Sequence, residues 1–114
     1  PVLAFTGDGG MSMTMAELET IARLQLPITV VVFNDATLSL IRIKQTPEHG
    51  GDRAVAYRLT DFAEVARASG IDGYVVNSAS ELRTVLAQDW DRPRLIDARI
   101  DPSSYPALLA ATRG

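Results

Sequence analysis

Two apolar runs constrain the fold more than any other feature. Val2-Leu-Ala-Phe5 is short, wholly apolar and ends at a glycine, the character of a strand buried on both faces. Ile28-Thr-Val-Val-Val-Phe33, bounded by Pro27 and by Asn34-Asp35, is the clearest strand in the chain. Between them lies helical spacing. Thr14-Met-Ala-Glu17 has the capping-box pattern, and Met15, Leu18, Ile21 and Ala22 then share one helical face. Strand, helix, strand in this order predicts a parallel sheet covered by helices.

The rest of the chain repeats that alternation. Leu38 to Gln45 alternates like a strand but follows a loop where a helix is due, and reads as a short helix. Thr46 to Leu59 is polar, contains glycine and Pro47, and reads as a loop. Asp61 can cap a helix to about Ser69, closed by Gly70. Gly73 to Val76 reads as a third strand. Ser78-Ala-Ser-Glu81 is a second capping box, opening a helix to about Gln88. Arg94 to Ile100 reads as a fourth strand, and the tail from Pro102 as a loop with a final turn at Ala107 to Thr112. The prediction is α/β: a parallel sheet of about four strands flanked by helices, one domain over residues 1–114.

Composition narrows the function classes. The net charge is −3, with no basic run, which argues against a nucleic-acid binder. The absence of cysteine excludes disulfides, thiolate metal sites and a cysteine nucleophile. The longest apolar run is far short of the ~20 residues that a membrane span needs. No signal-peptide pattern opens the chain, so the expected location is cytoplasmic. A strand beginning at residue 2 with no lead-in reads as a piece of a longer protein.

Ligands of open parallel sheets bind beyond the carboxyl ends of the strands, and two carboxylates stand there. Asp8 lies within the turn Thr6-Gly-Asp-Gly-Gly10 after the first strand, and Asp35 follows the second. One strand–helix–strand unit separates them, so they can face each other across one cleft. Glycine turns of this kind let backbone N–H groups close on a phosphate, which an aspartate would repel. A hard cation resolves the conflict. Two oxygen ligands suit Mg²⁺ or Ca²⁺ better than zinc, and Mg²⁺ completes its shell with phosphate oxygens, carbonyls and water. A helix starting near Thr14 would direct its positive end at the same anion.

Gly7-Asp8-Gly9, a spacer, then Asn34-Asp35 is similar to the Gly-Asp-Gly…Asn-Asn motif of thiamine-diphosphate-dependent enzymes. MTMAELETIARLQLPITVVVFND resembles the same stretch of acetolactate synthases and 2-oxo acid decarboxylases, and DFAEVARASG and PRLIDARIDP resemble the rest of that family's diphosphate-binding domain. The likeness covers nearly the whole chain. It implies that Asp8 ligates Mg²⁺, that Asp35 does so in place of the family's second asparagine, and that Thr37 offers its backbone carbonyl. Gly7 belongs to the same cofactor motif, Gly9 and Gly10 would donate N–H groups to the diphosphate, and Asn34 would hold the turn. Asp35 departs from the family pattern by adding a negative charge.

The resemblance further implies a cofactor, thiamine diphosphate, shared with a pyrimidine-binding domain of the same or a partner subunit in a homo-oligomeric parent. The glutamate that activates the aminopyrimidine would come from that domain, which this chain lacks. The chain alone is therefore expected to hold one end of the cofactor, carry no catalytic residue and be silent by itself.

Other readings compete. A dinucleotide-binding module also has a glycine turn and a later acid, but GxGxxG needs glycine where Ser12 stands. A receiver-like signalling module needs an aspartate ending a central strand and a late lysine; Asn77 follows Val76, and no lysine follows Lys44. A non-catalytic fragment keeping only the fold is a third reading. Glu17 reads as a helix cap, Met11, Met13 and Met15 as core, His49 as solvated, and Trp90 as packing on a helix end. Leu38, Leu40 and Ile41 read equally as core or as pocket lining.

Overall fold

The computed structural model describes residues 1–49 and 54–112; the side chains of residues 46–49 fall outside that description. Four strands form one parallel sheet in the order β1-β2-β4-β3: β1 (Val2–Gly7), β2 (Ile28–Asn34), β3 (Asp72–Val76) and β4 (Arg94–Arg99). Among the described residues six α-helices accompany them: α1 (Asp8–Thr14), α2 (Glu17–Arg23), α3 (Ser39–His49), α4 (Phe62–Ala68), α5 (Ala79–Leu86) and α6 (Tyr105–Thr112), the last preceded by a 3-10 turn at Pro102–Ser104. The α/β architecture with four parallel strands is the one the alternation predicts. Among the described residues, no helix is long and apolar enough to cross a membrane.

Each sheet face has its own core. On one face Val30, Val32 and Leu95 pack against Met11, Leu18, Phe62, Ala66 and Ile71 from the α1, α2 and α4 side. On the other, Val31, Ile96, Ala98 and Val76 pack against Val85 of α5. The second face is bare where it passes β1. Phe5 and Phe33 stack there, ring centroids 6.0 Å apart, and stay 62% and 40% exposed beside an exposed Leu3. Parallel sheets are normally covered on both faces, so this stripe is an unusual thing to leave in water.

Local signals explain most boundaries. The Asp61 carboxylate accepts from Glu64 N at 2.8 Å and Ser78 Oγ from Glu81 N at 3.2 Å, so both predicted caps form. Trp90 Nε1 donates to Leu86 O at 2.8 Å, sealing the end of α5 as expected. Trp90 also covers Arg94, a guanidinium buried at 3% exposure whose Nε and Nη1 donate to Thr29 Oγ1 and Val85 O. That burial was not legible in the strand pattern.

Four expectations are corrected. β1, expected to be buried on both faces, holds no buried residue, because it is an edge strand of the sheet and one of its faces is bare. The first helix starts at Asp8, not Thr14: Thr14 Oγ1 donates back to Gly10 O, and Glu17 opens a separate helix without a side-chain cap. The Gly9-Gly10 pair is thus helical, and the capping-box letters fall at the junction of two helices. Of the three methionines Met11 is core; Met13 is exposed on the outer side of α1 and Met15 at its junction with α2. The helix after Asp35 runs on to His49, past Pro47, into the stretch read as a loop. Pro47 costs the helix its hydrogen bond to the carbonyl four residues back, and the helix ends two residues beyond it. The His49 side chain and residues 50–53 lie outside the described residues.

Candidate functional site

β1 and β2 run side by side with Gly7 opposite Phe33, so their carboxyl ends open on one cleft. A cavity of about 410 Å³ lies there, and Gly7, Asp8, Gly9, Gly10, Asp35 and Thr37 all line it. Leu38, Leu40 and Ile41 form its apolar side, with Leu40 and Ile41 exposed, so these residues line a pocket and are not core.

Asp8 is the first residue of α1 and only 5% exposed. Its Oδ1 accepts from Gly9 N at 2.7 Å; its Oδ2 is buried and has no hydrogen-bond partner among the described residues. A buried carboxylate oxygen left unpaired is unfavourable, and a cation is the group that relieves it. The two glycines serve a purpose not foreseen from the sequence. A Cβ at Gly9 would lie 2.7 Å from Leu38 Cδ2 and one at Gly10 would lie 2.6 Å from Thr6 Oγ1. A side chain at Gly9 would displace the Leu38 side chain and one at Gly10 that of Thr6, whereas Gly7 faces open space.

The loop after β2 is held from within. Asp35 Oδ1 accepts from Thr37 N at 2.9 Å and its Oδ2 from Ser39 Oγ at 2.6 Å. The Thr37 carbonyl accepts from Ser39 N at 2.9 Å. Each of these oxygens keeps a further lone pair for a cation. The segment before α4 straps this loop down, with Leu38 N donating to Val55 O and Tyr57 N to Ala36 O, and Val55 buried beneath. Between the two candidate ligands Ala36 adopts φ +55°, the left-handed region. For a residue with a Cβ that conformation costs about 1–2 kcal/mol. Ala36→Gly is therefore expected to raise stability by about 1 kcal/mol, read as a higher midpoint in urea unfolding.

Asn34 does not reach the cavity. Its side chain is buried, with Nδ2 donating to Thr60 O and Asp97 Oδ1 and Oδ1 accepting from Ala36 N. Two tyrosines unmarked by the sequence reading stand near the carboxylates. Burial first, then the neighbouring Asp8 carboxylate and the charge of Asp35, push the Tyr57 hydroxyl far above the usual tyrosine range. Burial, then Asp35 and Asp8, raise Tyr105 in the same direction. Tyr57 sits in a stretch read only as loop, and Tyr105 opens a helix read as a late turn; neither segment carried a signal. Asp97 did carry one, a lone carboxylate inside the apolar strand Leu95-Ile-Asp-Ala98.

Residues 1–98 match the family described as thiamine pyrophosphate enzyme, C-terminal TPP binding domain. The chain belongs to this thiamine pyrophosphate enzyme family. Its match takes in both acidic turns, β1 to β3, and β4 as far as Ala98. Acetolactate synthase of Bacillus subtilis (strain 168) is 34% identical over 104 residues, 90% of this chain and 18% of that protein. The probable acetolactate synthase large subunit of Methanococcus aeolicus is 33% identical over 112 residues, 95% of this chain and 19% of that one. In structure, the thiamine diphosphate-dependent 4-hydroxybenzoylformate decarboxylase of Rhodococcus jostii RHA1 superposes with TM-score 0.75 and 23% identity, covering 89% of this chain and 20% of its own. That likeness shows a shared fold. This thiamine pyrophosphate enzyme domain thus spans about a fifth of the length of these relatives.

Proposed function

We propose that the chain binds the diphosphate of thiamine diphosphate through Mg²⁺, as one half of the cofactor site of a longer acetolactate-synthase-like or 2-oxo acid decarboxylase enzyme. The observation that carries this reading is the buried, unpartnered Oδ2 of Asp8, lining one cavity with Asp35. The residues fit the group. Asp8, Asp35 and the Thr37 carbonyl are the hard oxygen donors that Mg²⁺ takes, and phosphate oxygens would complete its shell. Gly7, Gly9 and Gly10 supply the backbone wall, and Leu38 and Ile41 an apolar flank that keeps water from the rest of the cofactor. When bound, thiamine diphosphate supplies the carbanion stabilisation that decarboxylation of a 2-oxo acid requires.

This chain's own work is then to bind, orient and exclude water. The pyrimidine end falls to another domain, of the same or a partner subunit in a homo-oligomer. The bare Leu3, Phe5 and Phe33 stripe supports that reading, since an apolar patch on a parallel sheet is the kind of surface a further body covers.

The test is turnover of a panel of 2-oxo acids by the full-length polypeptide that contains these residues. CO₂ release that needs both thiamine diphosphate and Mg²⁺ is expected, with carboligated product separating synthase from decarboxylase. Turnover that survives exhaustive removal of either, or no turnover of any 2-oxo acid, would contradict the proposal. Asp35→Asn is expected to keep cofactor affinity within about threefold, under ~0.7 kcal/mol, because asparagine retains an oxygen toward the cavity; cofactor titration of the variant checks this.

A further inference from the structure

We infer that Asp97 is the positioning residue of the cation loop and that it acts through Asn34; this rests on the cation-site reading above. Asp97 is 0% exposed on β4, and its carboxylate gathers donors from three parts of the fold. Oδ1 accepts from Asn34 Nδ2 at 2.9 Å, and Oδ2 accepts from Phe62 N at 3.0 Å and from Arg99 Nη2 at 2.8 Å. Arg99 also lies 3.6 Å from Asp61, the cap of α4. The carboxylate therefore ties the end of β2 to the start of α4.

Asn34 passes that constraint to the loop. One amide proton is held by Asp97 and the other by Thr60 O, which leaves Oδ1 turned toward Ala36 N at 3.3 Å. Its carbonyl accepts from Ile100 N at 3.1 Å, so the backbone is fixed as well. The next residue but one, Ala36, is in the left-handed region and would relax if released. Asp35 and the Thr37 carbonyl flank it, so the orientation of the Asn34 amide sets where both point. An acceptor-only group is required at 97: Oδ1 faces Asn34 Nδ2 and Oδ2 faces Phe62 N and Arg99 Nη2, so an amide in either orientation sets its N–H₂ against a donor.

The test uses Tb³⁺, a hard cation, on the 114-residue chain, with luminescence sensitised by Tyr57 and Tyr105 and with Mg²⁺ as competitor. Asp97→Asn and Asn34→Ala are each expected to weaken Tb³⁺ and Mg²⁺ binding about tenfold or more. The double variant is expected to be no weaker than the worse single one, because both cut the same link. Val85→Ala, in the core of the opposite sheet face, serves as the control for lost stability and is expected to bind like wild type. Faster amide exchange at Ala36 and Thr37 in Asp97→Asn, with Val31 and Ile96 unchanged, is the accompanying signature. Wild-type affinity in Asp97→Asn, or additive effects in the double variant, overturns the inference. If Asp97→Asn does not fold, Asn34→Ala severs the same bond from the loop side, and unchanged affinity there overturns it equally. A wild-type chain that binds neither ion overturns the cation-site reading and this inference with it, whereas wild-type binding with unaffected variants overturns this inference alone.

Discussion

Asp8→Asn is expected to lower the affinity for thiamine diphosphate in Mg²⁺ by at least about 100-fold, or ~2.7 kcal/mol, with the fold intact. The asparagine keeps an oxygen for Gly9 N, the bond Asp8 Oδ1 makes at 2.7 Å. What it removes is the buried charge on Oδ2, which has no hydrogen-bond partner among the described residues. A first-turn carboxylate contributes about 0.3–1 kcal/mol to a helix, and relief of an unpaired buried charge opposes that loss. The net change in stability is therefore small while the loss of a cation ligand is large. Calorimetric titration of the variant, beside its thermal unfolding curve, measures both. Retained affinity would show that Asp8 is not a ligand; an unfolded variant would show that its role is structural.

Gly73→Ala is expected to be the most destabilising small substitution in the chain, by about 3 kcal/mol or more. At this point β3 runs directly beneath α4, and an added Cβ would fall inside the van der Waals contact of the Ala63 carbonyl oxygen and on its backbone carbon. No rotamer can move aside, because the obstacle is main chain. Relief requires α4 to lift from the sheet, which exposes Phe62 and Ala66 from the larger core. The expected readout is a sharply lower denaturant midpoint, or no soluble folded chain. Since Phe62 N also bonds Asp97, the cation loop should loosen with it. A variant as stable as wild type would mean that the helix and strand are not packed this closely.

The sheet was legible because its signal is physical and local. Apolar runs at Val2–Phe5 and Ile28–Phe33, with Asp61 and Ser78 as caps, mark strands and helix starts in any context. The site was legible in outline for the same reason: Asp8 and Asp35 sit at strand ends, and a strand–helix–strand unit brings such ends together. Legibility failed where a residue's role depends on a distant partner. Thr14 and Glu17 have the letters of a capping box, but the glycines before them were already helical, so no helix began there. Asn34 looked like part of a binding motif and is consumed by Asp97, far along the chain. Tyr57 reaches Asp8 only because Val55 anchors the strap, a contact that no periodicity encodes.

Whether a divalent cation joins this chain to a diphosphate is decided by a single titration. Thiamine diphosphate is titrated calorimetrically into the 114-residue chain with Mg²⁺, and the experiment is repeated in EDTA. Saturable one-to-one binding in Mg²⁺ that disappears in EDTA is the expected result. Binding of equal strength in both conditions, or no heat in either, would contradict it.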